Sequence, residues 1–106
     1  MKIEKQSKAI ILRSNASLWD GKRQLPGILS LTPQRLVFQF DGFQKSHLSL
    51  SIPLVEIESA ELFLLFEFSR NGLKITSESG VDLFVLDDPL AFRKALKKAL
   101  DKLRND

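Results

Sequence analysis

The sequence predicts a mainly β domain that ends in one amphipathic α-helix, and two patterns carry this prediction. Short segments in which apolar and polar residues alternate fill most of the chain, and turn-forming residues separate them at close intervals. After Leu86 the apolar residues recur at helical spacing instead. Antiparallel strands with one buried and one solvated face produce the first pattern, and a helix packed against them produces the second.

Glycine and proline mark the ends of the predicted strands. They occur in the turn signals Asp20–Gly21, Pro26–Gly27, Thr32–Pro33, Asp41–Gly42, Pro53, Asn71–Gly72, Ser79–Gly80 and Asp88–Pro89. Between these signals we predict strands at residues 28–31, 35–40, 48–52, 55–58, 66–69, 73–76 and 81–86. Segment 48–52, in which leucine or isoleucine alternates with serine, is typical. We expect a single domain over residues 1–106, with its strands within about residues 8–86.

Asn71–Gly72 is the sharpest turn signal in the chain. A two-residue type I′ hairpin turn needs a positive φ at both central positions, and asparagine and glycine tolerate that conformation. A turn at this place predicts a register in which Phe68 lies opposite Ile75.

The final apolar pattern predicts a helix over about residues 88–104. Asp88 suits the N-cap and Pro89 the first helical position, where its missing N–H costs nothing. One stripe of the helix is apolar and comprises Phe92, Leu96, Ala99, Leu100 and Leu103, with Ala95 at its edge. We expect this stripe to close one end of the β structure and the surrounding lysines to be solvated. The alternative is a helix that lies on a membrane or binds as a calmodulin target.

Several short motifs have a recognisable order along the chain. They are Gly27–Thr32, Pro33–Phe38, Ile52–Ile57, Asn71–Ile75 and Gly80–Phe84. This order resembles the GRAM family, with its Gly-x-Leu-x-Leu-Thr-x-x-Arg-Leu-x-Phe hairpin, and it covers about residues 16–103. The resemblance implies a pleckstrin-homology-like (PH-like) barrel of about seven antiparallel strands with one C-terminal amphipathic α-helix, in a stand-alone domain of bacterial type. It also implies a lipid- or protein-docking module without catalysis.

Composition excludes several classes of protein. The chain has no cysteine, so disulfides, thiolate nucleophiles and cysteine-based zinc sites are absent. Its longest apolar run has five residues, 62–66, against the roughly 20 of a membrane-spanning helix. The run at residues 9–12 is too short for the apolar region of a signal peptide. We expect a cytoplasmic protein, peripheral at the membrane if it docks there, with no cofactor and no metal.

The net charge of +3 is unevenly distributed. Residues 1–25 contain six basic and two acidic residues. Residues 26–86 contain four basic and seven acidic residues, and residues 87–106 contain six basic and four acidic residues. Basic ends therefore flank an acidic middle. The basic residues lack the interleaved surface aromatics of a single-strand platform, so we expect no nucleic-acid binding.

A candidate anion site lies in the predicted loop between the first two strands. Lys22 and Arg23 occupy the place where, by the resemblance, phosphoinositide-binding PH domains carry a basic motif. Residues 28–31 contain no basic residue and so depart from that motif. Trp19, together with Leu18 in the same loop, is a candidate for insertion into an anionic membrane. The alternative is that Trp19 packs on the barrel and the two basic residues are simply solvated.

Arg35 is the fourth candidate anion-binding residue. It follows the predicted turn Thr32–Pro33–Gln34, in which the Thr32 hydroxyl is suited to bond the local backbone. A structural ion pair between Arg35 and a carboxylate at the barrel rim is the alternative to phosphate binding. Pro53 lacks an N–H, and we expect it at an edge or a corner of the sheet.

A candidate partner or dimer contact is the apolar run Leu62, Phe63, Leu64, Leu65 and Phe66. Five consecutive apolar residues cannot all face the inside of a one-sided sheet. We expect the helix or a bulge to cover the outward side chains, and a homodimer or protein contact is the alternative.

Catalytic candidates are few. His47 is the only histidine, and no nucleophile or metal-ligand motif accompanies it. Glu56 and Glu58 would lie on one face of the predicted strand 55–58, at a spacing suited to acid/base chemistry, although they also fit its solvated side. We therefore expect a noncatalytic docking module for a protein partner or an anionic membrane surface. The alternatives are a homo-oligomeric interaction protein and, third, a small enzyme that uses His47 or Glu56 and Glu58.

Overall fold

The computed structural model describes residues 10–41, 49–64 and 71–105. Its elements are β1 (Leu12–Trp19), β2 (Gln24–Leu31), β3 (Arg35–Phe40), β4 (Ser49–Pro53), a short 3₁₀ turn (Leu54–Glu56), β5 (Ile57–Leu64), β6 (Asn71–Ser77), β7 (Gly80–Leu86) and α1 (Pro89–Arg104). All strand pairs are antiparallel. The predicted fold class, a mainly β domain with seven strands and one C-terminal helix, is confirmed.

The seven strands form one open sheet rather than the closed barrel that the sequence predicts. Their order is β4-β3-β2-β1-β7-β6-β5, which leaves β4 and β5 at the edges of the sheet within the described ranges. The chain leaves β4 at Pro53, which has no N–H to continue a ladder, and the 3₁₀ turn then redirects it. Leu54 donates its backbone N–H to the Gln34 carbonyl at 2.9 Å, which ties this corner to the β2–β3 turn. The predicted place of Pro53, at an edge and a corner, is confirmed.

Three buried phenylalanines, Phe38, Phe84 and Phe92, are the bulkiest side chains of the core. The ring centroids of Phe38 and Phe84 lie 5.5 Å apart, and Phe40 meets Phe38 edge-on at 4.9 Å. Leucines and isoleucines from the inner faces of the strands fill the space around these rings. Alternation along β2 and β3 thus delivers every second side chain to a common core.

The helix α1 covers this core in the predicted way. The Asp88 carboxylate accepts a hydrogen bond from the Ala91 N–H at 3.0 Å, and Pro89 is the first helical residue. Most of the predicted apolar stripe is buried, and Leu103 packs against the core at its end. The Arg93 side chain donates to the Ala60 carbonyl at 2.9 Å and fixes the helix on β5. The expectation that the apolar stripe is buried against the β structure is confirmed, although the sheet is open and has no barrel end to close.

The predicted turn at Asn71–Gly72 is wrong. Both residues belong to β6, and Ile75 pairs with Ala60 on β5 and with Asp82 on β7, so the predicted register of Ile75 is wrong. Phe68 and the rest of the predicted strand 66–69 lie outside the described residues.

Close packing, not turn geometry, explains the glycine at position 72. A Cβ at Gly72 would collide with the ring of Phe63 on β5. A two-residue turn lies instead between β6 and β7 at Glu78–Ser79, where Ser77 pairs with Gly80 and Gly80 has a φ of +135°.

The predicted strand 55–58 also requires correction. Residues 54–56 form the 3₁₀ turn, and β5 begins only at Ile57 with a register shift before Ser59. Val55, which would face the core if Glu56 and Glu58 formed the solvated side of that predicted strand, is 73% exposed. Glu56 and Glu58 therefore do not share one strand face, because Glu56 lies in the 3₁₀ turn and Glu58 lies at the register shift in β5.

Candidate functional site

The β1–β2 turn contains Lys22 and Arg23, the two basic residues predicted to bind anions, and both are exposed. Asp20 closes this turn: its carboxylate accepts the backbone N–H of Arg23 at 2.8 Å and that of Lys22 at 2.9 Å. These bonds, from Arg23 first and Lys22 second, lower the pKa of Asp20. Its second oxygen lies 3.4 Å from the Arg23 Nε. Gly21 has a φ of +98°, which allows the tight turn. The turn therefore carries the Asp20 carboxylate beside its two basic residues.

Trp19 does not lie in this turn, contrary to the sequence prediction. It is the last residue of β1, half-buried, and paired with Gln24 on β2 and Leu83 on β7. Leu18 is also in the strand and packs against the core. Neither side chain is therefore displayed at the tip of the hairpin for insertion.

Arg35 is separated from Lys22 and Arg23. It begins β3, and its guanidinium donates to the Ser51 hydroxyl at 2.6 Å, not to the predicted carboxylate. The Thr32 hydroxyl accepts the Arg35 N–H at 3.0 Å, as predicted for the turn. The eight residues of β2 lie between the two turns, which is about 25 Å of extended chain. The four candidate residues therefore do not form one anion site.

The described part of the predicted contact run is residues 62–64, on the edge strand β5. Leu62 is 39% exposed, whereas Phe63 is half-buried and its ring lies over Gly72. Leu65 and Phe66 lie outside the described residues. One side chain of this run is thus covered internally and one is displayed at the sheet edge.

A groove that the sequence does not predict lies beside α1. Its base is formed by Ala95 and Ala99, and Ile11, 47% exposed, contributes its other wall just before β1. The groove has a volume of about 650 Å³. A smaller recess of about 290 Å³ continues it past Leu103 towards the β2–β3 turn. We call this concavity the α1 groove.

Three lysines border the α1 groove: Lys94, Lys98 and Lys102. Residues four apart on a helix lie nearly above one another, with a rise of about 6 Å between them, so the three form a row about 12 Å long. All three are exposed, and within the described ranges none makes a salt bridge. The α1 groove therefore combines an apolar floor with a cationic rim.

The structure describes two of the three predicted catalytic candidates and places them in different elements. Glu56 lies in the 3₁₀ turn and Glu58 in β5, and His47 lies outside the described residues. Burial raises the pKa of Asp82, a half-buried residue of β7. In the part of the chain that the structure describes, no group of three or more metal-ligand side chains is present. In the same part, α1 is neither long nor apolar enough to cross a membrane.

Comparison with known proteins gives structural neighbours but no sequence relatives. No protein-family model matches the chain, and no curated protein matches it. The C-terminal domain of an unknown protein from Leishmania infantum superposes with a TM-score of 0.72 at 18% identity, over 87% of this chain and 84% of that one. The Vps36 N-terminal PH domain superposes with a TM-score of 0.72 at 19% identity, over 92% of this chain and 82% of that one. These likenesses and the strand order together establish that the chain has a PH-like fold.

Proposed function

We propose that this chain is a noncatalytic, cytoplasmic docking module that binds a segment of a partner protein. The observation that carries the proposal is the α1 groove, where an exposed isoleucine and two helical alanines lie beside three lysines that form no salt bridge with any described residue. Burial of Ile11 and of the groove floor provides the hydrophobic driving force for association. The lysines at the rim provide orientation and selectivity for an anionic partner.

We further assign the module to the GRAM type of PH-like domain. Two glycines of the resembling motifs support this, because both lie where an aromatic ring passes close to the backbone. A Cβ at Gly27 would collide with the Phe38 ring and the Gln39 carbonyl, and one at Gly72 would collide with Phe63. A side chain at either position would clash with its neighbours. Close packing therefore explains why these two motif positions are glycines.

Selection from a displayed library of random peptides tests the docking function. We expect the native chain to enrich a family of related peptides, and the Ile11→Asp variant to lose them, because the substitution places a charge on the apolar wall. Ile11 is half exposed, so the variant retains the core. Val55→Asp, on an exposed residue that does not line the groove, is the matched control and should select the same peptides. Enrichment that is absent, or equal in native and Ile11→Asp chains, would contradict protein docking at this groove.

Docking to an anionic membrane is the second candidate, and the exposed Lys22 and Arg23 favour it. Sedimentation with phosphatidylserine vesicles at low and physiological salt separates the two functions. Vesicle binding that is lost in Lys22→Glu/Arg23→Glu and kept in Ile11→Asp would assign the function to the β1–β2 turn. We expect little vesicle binding at physiological salt, since Asp20 already offsets part of the charge of this turn.

A further inference from the structure

We infer that the α1 groove binds an acidic amphipathic helix of a partner protein. This inference rests on the proposed docking function and specifies the chemistry of the partner. A row of carboxylates on that helix would face the three lysines, and an adjoining apolar row would fill the groove against Ile11. Charge, shape and spacing each support this occupant.

Charge complementarity requires an acidic partner. Lys94, Lys98 and Lys102 lie on one side of the groove, and no carboxylate of the described residues forms a salt bridge with them. The chain's own residues 1–9 do not supply the missing charge, because they contain three lysines and a single glutamate. An external segment with several carboxylates is therefore favoured over this part of the chain.

Shape favours a protein segment over a lipid surface. The α1 groove is concave, with the small side chains of Ala95 and Ala99 as its floor and Ile11 standing opposite. A planar bilayer would contact the lysine rim and leave the floor uncovered, whereas a helix can place side chains inside the groove. Alanines on the floor let a second helix approach at the short end of the usual 8–10 Å interaxial distance.

Spacing favours a helical partner. The three lysines repeat every four residues, with a rise of about 6 Å. Glutamates that repeat every four residues on a second, roughly antiparallel or parallel helix have the same rise, so several ion pairs form together. The apolar residues next to that row then project into the groove in register. This is the helix-in-groove mode of recognition, with charge added along one rim.

A designed peptide tests the inference directly. The probe is a fluorescein-labelled helical peptide of about five turns, with a row of glutamates at four-residue spacing beside a row of leucines. A scrambled peptide of the same composition and a glutamate-to-glutamine peptide are the comparison probes. We expect fluorescence anisotropy to show saturable binding of the first peptide alone, with affinity that falls as salt is added.

Two charge reversals on α1 provide matched variants. Lys98→Glu reverses the central residue of the row and should weaken binding about tenfold or more. Lys97→Glu makes the same change on the next residue, which is exposed and does not line the groove, and should leave the affinity nearly unchanged. Both variants place a glutamate near Asp101, so their effects on helix stability are comparable.

The outcomes separate this inference from the proposed function. Failure of the peptide to bind, equal binding of the scrambled peptide, or equal loss in Lys97→Glu and Lys98→Glu would overturn the inference. If the random library still yields Ile11-dependent peptides of another composition, docking stands and the acidic helix is rejected. If neither the library peptides nor the designed peptide bind, the proposed docking function and the acidic-helix inference are both rejected. Vesicle binding that Lys98→Glu abolishes, without peptide binding, would assign the groove to lipid and also overturn the inference.

Discussion

Replacement of Leu96 by aspartate is expected to lower the free energy of unfolding by at least about 4 kcal/mol. Leu96 is completely buried at the centre of the apolar stripe of α1. The substitution removes a large apolar side chain and leaves an unpaired carboxylate in a core that offers it no partner. Urea denaturation followed by circular dichroism measures the loss.

Lys97→Asp is the control for Leu96→Asp. The two positions are neighbours on α1 and receive the same new residue, but Lys97 is exposed. Its effect is expected to stay within about 1 kcal/mol, since only helix propensity and a surface charge change. Equal stability of the two variants would mean that α1 does not pack on the sheet, and the α1 groove would then have no fixed wall.

Replacement of Phe38 by alanine is expected to cost about 3–5 kcal/mol of the free energy of unfolding. Phe38 is completely buried, and its ring contacts both Phe40 and Phe84. Loss of the ring opens a cavity beneath the β2–β3 hairpin and removes both aromatic contacts. Thermal and urea unfolding of the purified chain measure the change.

Two further variants make the Phe38 result specific. Phe38→Leu should recover much of the lost stability, because it fills most of the cavity. Phe40→Ala should cost clearly less than Phe38→Ala, since Phe40 is only half-buried. Similar losses for Phe38→Ala and Phe40→Ala would contradict a core centred on Phe38.

Local patterns allowed the helix and most of the fold to be predicted. The cap at Asp88, Pro89 and the apolar stripe lie within one short segment, so 3.6-residue periodicity was sufficient to define α1. The strand 35–40 was predicted with its observed bounds because turn residues flank it. β1 was not among the predicted strand segments, because polar residues such as Ser14 and Asn15 interrupt its alternation. Its assignment depends on pairing with both β2 and β7.

The error at Asn71–Gly72 shows where local reasoning fails. The dipeptide satisfies the backbone requirement of a tight turn, but the neighbouring strand decides its structure. The Phe63 ring on β5 lies over Gly72, so the glycine leaves room for this contact between neighbouring strands. Nothing in the immediate sequence distinguishes that role from a turn.

The candidate site required the tertiary fold for the same reason. Sequence reasoning found the basic side of α1 and treated its lysines as solvated. The apolar wall opposite them comes from Ile11, at the other end of the described chain, and only the strand order brings it beside the helix. The distance between the anion-binding candidates Lys22 and Arg35 also required the structure, which places β2 between their turns.

The most direct test of groove docking is a proton–nitrogen NMR titration of the labelled chain with the acidic helical peptide. We predict that the largest shift changes cluster at Ile11, Ala95, Ala99 and the lysines of the row, and that the β1–β2 turn is unaffected. Changes concentrated at residues 20–23, or no changes at saturating peptide, would contradict binding in the α1 groove.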